Sequence, residues 1–429
     1  MYPENIVYVE KENGGVSSAR NEAFKYIEGK YTSYIDTDDK WDLNAFGTAY
    51  DYFEKHYDEV DIVACRVKRF EARNDYHVLD YKFNAGTRIA DIHDPKEYFS
   101  IQTLITSTFI KTEAIKDTRF DTRIICGEDT IFCNLIMLEK CKIGYLKEAL
   151  YYYRQRAAKD STVDKIKRNI FYYDGMLEYY YNGMISYSKE KFGKVIPYLQ
   201  AIMTNDLMWH FEACETHEVL SDEEFVIYKQ RVKEILSYID DDIIFGHPLH
   251  KAYTRRSAAV NFKYDIDYYK ALTLKENKLF FRKYSVFNMV CRNTLCMLNS
   301  MGADKNKFRI EVLVANWILR ATGNGGRFVF KVGDRFVKPK EVLEYAPKTA
   351  KTFDGGEYYY SSFIFNLKLK LKEGEDVTIT PYIIYGEEVA PIYINCTQAK
   401  QGVNPFTTCL VQGKYSVSYA DDAIKISRK

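Results

Sequence analysis

The spacing of hydrophobic residues divides the 429-residue chain into three regions. Up to about residue 160, short apolar stretches at residues 6–9, 31–35, 60–64 and 143–146 alternate with segments whose apolar residues recur every three or four positions. The first pattern predicts strands, and the second predicts amphipathic helices. Strands that alternate with helices are typical of an α/β domain.

Two helices in this first region have clear sequence signals. A Gly14-Gly15 turn leads into a helix that Ser17 can cap. The other helix is predicted from apolar residues at helical spacing, which are Leu43, Phe46, Tyr50 and Phe53.

The remaining two regions have different periods. Strand signals disappear after residue 160, and long segments with helical periodicity predict a helical linker. Further on, apolar and polar residues alternate, most strictly over residues 366–372, and a short turn then leads into residues 377–379. This pattern predicts a hairpin with one buried face, and several such strands indicate an all-β sandwich. The predicted domains are therefore 1–160, 161–270 and 271–429.

Charge and cysteine usage narrow the functional classes. Lys and Arg total 61 while Asp and Glu total 60, so no bulk positive charge attracts nucleic acid, and we expect no nucleic-acid partner. The nine cysteines form no CxxC pair, which argues for reduced thiols and against a structural zinc site. We therefore expect a cytoplasmic protein.

A membrane contact would be peripheral. The sequence has no stretch of about 20 apolar residues of the kind that spans a bilayer. Two basic clusters could bind the inner face of a membrane or an anionic polymer. They are Lys165/Lys167/Arg168 and Lys251/Arg255/Arg256. Solvated helix faces are the simpler interpretation of both.

A cluster of carboxylates follows the strand predicted over residues 31–35. Asp36, Asp38 and Asp39 leave its carboxyl end, where α/β folds place ligands. Hard divalent cations bind carboxylate and phosphate oxygens together, so this cluster could hold a cation that neutralises a departing diphosphate. By itself, the cluster is equally compatible with an ordinary turn.

The chain resembles the family 2 glycosyltransferases with the GT-A fold. The run NGGVSSARN at residues 13–21 is followed, after a helix and a strand, by DTDD at residues 36–39. Both match the family pattern "NGGxSxARN … DxDD". The resemblance implies an α/β, GT-A domain of the nucleotide-diphospho-sugar transferase type that lacks its first βαβ part. An α-helical linker and an all-β, immunoglobulin-like sandwich would follow it.

The resemblance also implies a donor site for a nucleotide sugar. Arg20 would approach the nucleotide, Asp36 would lie near the ribose, and Asp38, together with Asp36, would hold Mn2+ or Mg2+. Arg154 and Arg156 would close over the diphosphate, although a basic surface loop remains an alternative for them. The complete set of implied donor-binding residues is Asn13, Gly14, Gly15, Arg20, Asn21, Asp36, Asp38, Arg154, Arg156 and Ser161.

Glu128 and Asp129 form a second acidic motif, at the predicted start of a helix. The family carries an acidic pair here, which implies Asp129 as the general base and Glu128 in a supporting role. A single carboxylate can take the proton of an acceptor hydroxyl as its oxygen attacks the anomeric carbon. Without the resemblance, the pair would be interpreted as an ordinary helix cap.

The rest of the chain resembles, in architecture only, the wall teichoic acid β-N-acetylglucosaminyltransferases. Their β-region helps them to oligomerise, which implies a homo-oligomer formed through the C-terminal β-domain. Complete family 2 enzymes begin with a strand, a helix and an aspartate-bearing strand. On that comparison, roughly 60 to 80 residues are expected to be absent before Met1.

The leading hypothesis is an inverting glycosyltransferase. It would move a sugar, with a UDP-sugar as the expected donor, to a hydroxyl of a cell-surface polysaccharide or a teichoic-acid-like polyol phosphate polymer. One alternative is a non-catalytic glycan-binding or assembly protein with a degenerate glycosyltransferase domain. Another is transfer of a polyol phosphate, which a comparison of UDP-sugars with CDP-polyols as donors would distinguish.

Overall fold

The computed structural model describes residues 3–156, 165–211, 213, 215–249, 253–290, 295–304, 307–351, 357–395, 410–412, 415–420 and 423–429. It forms two compact units, Met1–Lys263 and Tyr264–Lys429. The predicted boundary at residue 160 lies outside the described residues. Among those residues, no helix is both long enough and apolar enough to cross a bilayer.

The first unit contains a mixed six-stranded sheet. Its strands are β1 (Tyr31–Ser33), β2 (Lys40–Trp41), β3 (Ile62–Glu71), β4 (Arg88–Asp91), β5 (Thr108–Lys111) and β6 (Lys142–Gln155). The long β3 and β6 run parallel, and β5 pairs antiparallel with both β1 and β3. Both β4 and β2 pair antiparallel with β6, β4 near its start and β2 near its end. This mixed sheet agrees with the α/β prediction.

Three α-helices belong to the same part of the first unit: α1 (Gly15–Ala23), α2 (Ala45–Lys55) and α3 (Glu128–Lys140). Short helical turns accompany them at Pro3–Asn5, Phe24–Tyr26, Val78–Phe83 and Thr112–Ile115. The helix α3 leads directly into β6, so the start of α3 and the strand β6 are fixed by one continuous segment.

The apolar face of α2 differs from the prediction. Ala45, Ala49 and Phe53 are the buried residues of this helix and belong to one core cluster with residues of β3, β5 and β6. Phe46 and Tyr50 are 55% and 53% exposed. Alanines at this spacing allow a helix to approach a sheet closely, and a pattern based on large apolar residues underrates them.

The strand predicted at residues 6–9 is wrong. This segment joins no strand in the described structure, and Ile6, Val7 and Tyr8 are each more than 60% exposed. Apolar content alone does not make a strand, because strand stability comes from cross-strand pairing and burial.

Helices make up the described part of the first unit beyond residue 164, as the sequence predicted. They span Ile166–Arg168, Ile170–Tyr173, Met176–Tyr181, Asn182–Phe192, Pro197–His210, Thr216–Val219, Asp222–Ser237, Asp241–Gly246 and Tyr253–Tyr264. The Met176–Tyr181 segment is a π-helix, a conformation often found near functional sites.

The second unit is built mainly from strands. A five-stranded sheet contains Cys296–Asp304, Lys307–Ala315, Lys340–Lys351, Glu357–Lys368 and Ile394–Asn395. A seven-stranded sheet contains Arg327–Val332, Arg335–Val337, Asp376–Tyr385, Glu388–Pro391, Leu410–Gln412, Tyr415–Ala420 and Ala423–Arg428. A three-stranded sheet (Thr273–Lys275, Lys278–Phe281 and Tyr284–Asn288) and one helix (Asn316–Arg320) complete it.

The two larger sheets pack face to face through aromatic side chains. Phe328 and Phe363 have ring centroids 4.9 Å apart, and Phe330 and Phe365 have ring centroids 4.8 Å apart. Each pair joins one residue of the seven-stranded sheet to one of the five-stranded sheet, so this part of the chain is the β-sandwich that the sequence predicted.

The hairpin predicted around residues 366–379 is wrong. Glu357–Lys368 pairs with Lys307–Ala315 in one sheet, whereas Asp376–Tyr385 pairs with Arg327–Val332 and Ala423–Arg428 in the other. The chain crosses between sheets at this turn. Alternation identifies the buried face of a strand but not its pairing partner.

The corrected α2 face generates a stability prediction. Phe53→Ala removes a side chain that is 1% exposed and stacked on Tyr31, so unfolding of the first unit should become easier by about 3–5 kcal/mol. Leu43→Ala is the control, because Leu43 is 97% exposed, and its effect should stay within about 0.5 kcal/mol. Denaturant unfolding measures both variants, and equal losses would contradict the observed packing.

Candidate functional site

The acidic turn at residues 36–39 joins β1 to β2 and is tied to β6. The Asp39 amide donates to the Asp36 carbonyl at 3.0 Å. The Asp39 carboxylate accepts from the Tyr151 hydroxyl at 2.6 Å and from the Arg154 amide at 2.7 Å. Burial raises the pKa of Asp39 despite these two hydrogen bonds. Asp39 therefore holds the turn in place, a structural contribution that the sequence pattern does not reveal.

The other two carboxylates of the turn keep oxygen atoms accessible. The side chain of Asp36 is 49% exposed and lies 3.8 Å from the Arg20 guanidinium. That of Asp38 is 28% exposed and is bound by Arg156 at 2.6 Å. With Asp39 anchored, these two side chains are the ones that a ligand could reach.

Arg20, on α1, connects the acidic turn to the second acidic motif. Its guanidinium contacts Asp36, lies 3.2 Å from Glu128 and forms a close ion pair with Asp129. Burial opposes the charge of Arg20, but the carboxylates, Asp129 first, outweigh it and raise the pKa of the arginine. The ring of Phe120 also faces the guanidinium, with 5.2 Å to its centroid. One cation thus joins both acidic motifs.

Glu128 and Asp129 form the first turn of α3, as predicted. Gly127 precedes them with φ of 93°, and a Cβ there would lie 2.8 Å from the ring of Tyr180. The Ile105 amide donates to Asp129 at 3.3 Å. Burial, followed by the neighbouring Asp129, raises the pKa of Glu128 to about 7, and burial also raises the pKa of Asp129.

The glycine turn fits the start of α1 tightly. The Asn13 side chain accepts from the Gly15 amide at 3.1 Å, and Gly15 has φ of 81°, which favours glycine. A Cβ at Gly14 would lie 2.8 Å from the Ser18 hydroxyl. Ser17 is not the cap: it lies inside the helix, where its hydroxyl is buried without a partner.

Asn21 anchors α1 to the loop before α3. Its side-chain amide donates to the Phe120 carbonyl and accepts from the Phe120 amide, each at 2.9 Å. Both polar ends of the side chain are therefore occupied by the backbone. Donor binding by Asn21 stays a prediction, and the structure gives this residue a positioning contact.

The predicted diphosphate arginines lie at the end of β6. Arg154 is still inside the strand and forms an ion pair with Glu71 on β3, while Arg156 reaches Asp38. Both side chains are at least 40% exposed. Ser161 lies outside the described residues. The two arginines flank the acidic turn from the β6 side.

The donor atoms of the turn suit a hard divalent cation. Asp36 and Asp38 provide carboxylate oxygens, and the site as a whole holds more carboxylates than guanidinium groups. The described residues contain no group of three or more His, Cys, Asp or Glu side chains that could hold a metal on their own. A cation here would need phosphate or water oxygens as well, which is usual for Mg2+ beside a nucleotide.

The raised pKa of Glu128 generates a pH prediction. The stability that its protonated form contributes is complete below the unfolded pKa and is lost as pH rises through about 7. Glu128→Gln removes this loss. The free energy of unfolding of the variant, relative to that of wild type, should therefore increase by on the order of 1–3 kcal/mol from pH 5 to pH 8. Denaturant unfolding at both pH values measures this, and a constant difference would contradict the raised pKa.

The Gly127 contact generates a second prediction. Gly127→Ala adds a Cβ at positive φ against Tyr180 and should destabilise the protein by about 2–4 kcal/mol. Gly86→Ala is the matched control, because Gly86 has φ of 81° with open space around its Cβ position, and should lose about 1–2 kcal/mol. Thermal unfolding compares the two, and equal losses would mean that Tyr180 gives way.

The chain is similar in sequence to several known proteins. The chain is 33% identical over 342 residues to the minor teichoic acid biosynthesis protein GgaB of Bacillus subtilis (strain 168). The aligned region covers 80% of this chain and 37% of GgaB. It is 29% identical over 250 residues to GgaA of the same organism, covering 57% of this chain and 55% of GgaA. The chain thus spans between about a third and about half of the length of these relatives.

Three further comparisons follow. A poly(ribitol-phosphate) beta-glucosyltransferase of Bacillus spizizenii is 28% identical over 154 residues, covering 35% of this chain and 23% of the relative. The crystal structure of S. aureus TarS aligns with a TM-score of 0.46 at 14% identity, covering 98% of this chain and 74% of the TarS chain. Residues 1–116 match the family model described as Glycosyl transferase family 2. The N-terminal part of the chain is therefore a family 2 glycosyltransferase domain.

Proposed function

We propose that the protein is an inverting glycosyltransferase that moves a sugar from a nucleotide diphosphate sugar to a polymer hydroxyl. The observation that carries this proposal is Arg20, which contacts Asp36 of the acidic turn and both Glu128 and Asp129. Transfer needs a base beside a cation that neutralises the diphosphate, and this arrangement supplies a carboxylate for the base and carboxylates that can hold the cation, all contacted by one guanidinium.

Asp129 is the proposed general base. It takes the proton of the acceptor hydroxyl while that oxygen forms a bond to the anomeric carbon, and the bond from this carbon to the donor phosphate breaks. The electron pair leaves with the nucleotide diphosphate, so the anomeric configuration inverts. The Ile105 amide and Arg20 orient the carboxylate, and Glu128 supports it.

Asp36 and Asp38 are the proposed ligands of Mn2+ or Mg2+. A bound cation would neutralise charge on the departing diphosphate. Arg156 must then share Asp38 with the cation or exchange Asp38 for phosphate oxygens, which a guanidinium binds well. Arg154, held near the turn by Glu71, would assist in the same way.

The donor class proposed is a UDP-sugar and the acceptor class a polyol phosphate polymer. Two relatives are named for minor teichoic acid biosynthesis and a third for glucosyl transfer to poly(ribitol phosphate), which supports such an acceptor. A cytoplasmic enzyme at the inner face of the membrane, with the β-sandwich as a site of homo-oligomer formation, completes the proposal.

The base assignment generates the decisive prediction. Asp129→Asn keeps the shape of the side chain but cannot accept the proton, so transfer should fall by about 100-fold or more. Thermal stabilisation by UDP with Mn2+ should persist, because the acidic turn is unchanged. The measurement is UDP release from UDP-sugars, with CDP-polyols as alternative donors and a polyol phosphate acceptor.

Turnover like that of wild type in Asp129→Asn would remove Asp129 from the base role. Absence of both transfer and UDP-dependent stabilisation in the full-length wild-type protein would instead favour a non-catalytic binding protein.

A further inference from the structure

A buried segment without regular structure, residues 101–107, packs beside the start of α3. Its backbone groups are satisfied largely by side chains from other elements. The Gln102 amide donates to the Tyr198 hydroxyl at 3.1 Å, and the Gln102 carbonyl accepts from Asn134 of α3 at 3.1 Å. The Thr103 carbonyl accepts from Thr130 at 3.3 Å. The position of this segment therefore depends on side-chain contacts rather than on a strand ladder.

Lys82, a buried residue, also binds this segment. Its ammonium donates to the Ile101 carbonyl at 2.9 Å and to the Gln102 side-chain oxygen at 2.5 Å. The Gln102 amide group in turn donates to the Leu104 carbonyl at 2.6 Å. Lys82 thus binds both the backbone at Ile101 and the side chain that donates to the Leu104 carbonyl.

Lys82 forms no ion pair within the described part of the chain. The nearby carboxylate, Asp80, is held by two hydrogen bonds from Arg66, at 2.9 and 2.7 Å. Burial lowers the pKa of Lys82 to about 7. A buried lysine without a carboxylate partner costs stability, so its presence here calls for a function beyond packing.

Ligand binding is a poor explanation for Lys82. The cavity between Lys82 and residues 101–107 has a volume of only about 10 Å³, which is roughly room for one water molecule. A phosphate or sugar does not fit there. What the ammonium does contact is the segment whose Ile105 amide donates to Asp129 at 3.3 Å.

We propose that Lys82 is a positioning residue for the base: it holds residues 101–107 so that the Ile105 amide stays hydrogen-bonded to Asp129. The effect of Lys82 on catalysis rests on the proposed function, whereas its effect on the position of residues 101–107 does not. The ionised Asp129 is stabilised by that hydrogen bond, so its loss would raise the pKa of the base. A base with a higher pKa becomes active only at higher pH.

Several other titratable groups also surround Asp129. They are Arg20 on α1, Tyr34 after β1, Cys126 before α3, and Glu128 and Cys133 on α3. None of them is hydrogen-bonded to Lys82 in the described structure, and Cys133 interacts with Lys82 electrostatically. A shift of the pH profile that accompanies faster hydrogen exchange at the Ile105 amide would then report on the Ile105 contact.

The test compares Lys82→Met with Lys111→Met. Lys111 is a second buried lysine, at the far end of β5, where it lies 3.1 Å from Asp61 and donates to the Tyr57 carbonyl. Lys82→Met should lower the transfer rate about ten- to 100-fold at pH 7. It should also move the acidic limb of the kcat profile upward by about 0.5–1 pH unit, with KM for the donor nearly unchanged. Lys111→Met should lower stability without moving that limb.

A readout without turnover separates this inference from the proposed function. Hydrogen exchange at the Ile105 amide should accelerate at least tenfold in Lys82→Met and stay as in wild type in Lys111→Met. Gln102→Leu, which removes one of the two Lys82 acceptors and the side-chain contact to the Leu104 carbonyl, should reproduce both effects if Lys82→Met does not fold. Unchanged Ile105 exchange, or an unshifted acidic limb in an active Lys82→Met variant, would overturn the inference. If Ile105 exchanges faster in Lys82→Met than in wild type, but the wild-type protein shows no transfer activity, the proposed function alone would be overturned.

Discussion

The ion pairs of Arg20 are the interaction on which the site depends. One guanidinium faces Asp36, Glu128 and Asp129, and the last two carboxylates are largely buried. Without the cation, two adjacent carboxylates would share a desolvated position, which costs several kcal/mol unless one takes up a proton. The surrounding structure keeps the arginine in place, because Asn21 fastens α1 to the Phe120 backbone from the next position along the helix.

Each acidic motif around this cation is also held by contacts of its own. The turn at residues 36–39 is fastened to β6 through Asp39 and the buried Tyr151 hydroxyl. The Glu128-Asp129 pair is fixed by the left-handed Gly127, whose backbone lies against Tyr180 of the π-helix. The helices after residue 164 are therefore part of what positions the acidic pair, and not only a linker.

The sequence predicted most helices, strands and motifs, but not which residues are buried or which strands pair. The spacing of NGGVSSARN, DTDD and the Glu128-Asp129 pair identified two motifs that Arg20 joins in the structure. Local patterns could not reveal that the α2 face uses Ala45 and Ala49, or that the strands around residues 366–379 pair in different sheets. Such features depend on partners distant in sequence. The contributions of Asp39 and Lys82 were missed for the same reason, since each acts through backbone groups far along the chain.

The most direct test of this account is a double-mutant cycle between Arg20 and Asp129, measured as the free energy of unfolding at pH 8. Arg20→Met, Asp129→Asn and the double variant separate the pairwise interaction from the individual losses. If the guanidinium compensates the buried carboxylate, the coupling energy should be favourable by on the order of 1–3 kcal/mol. Effects that add to within about 0.5 kcal/mol would contradict the claim that this ion pair organises the site.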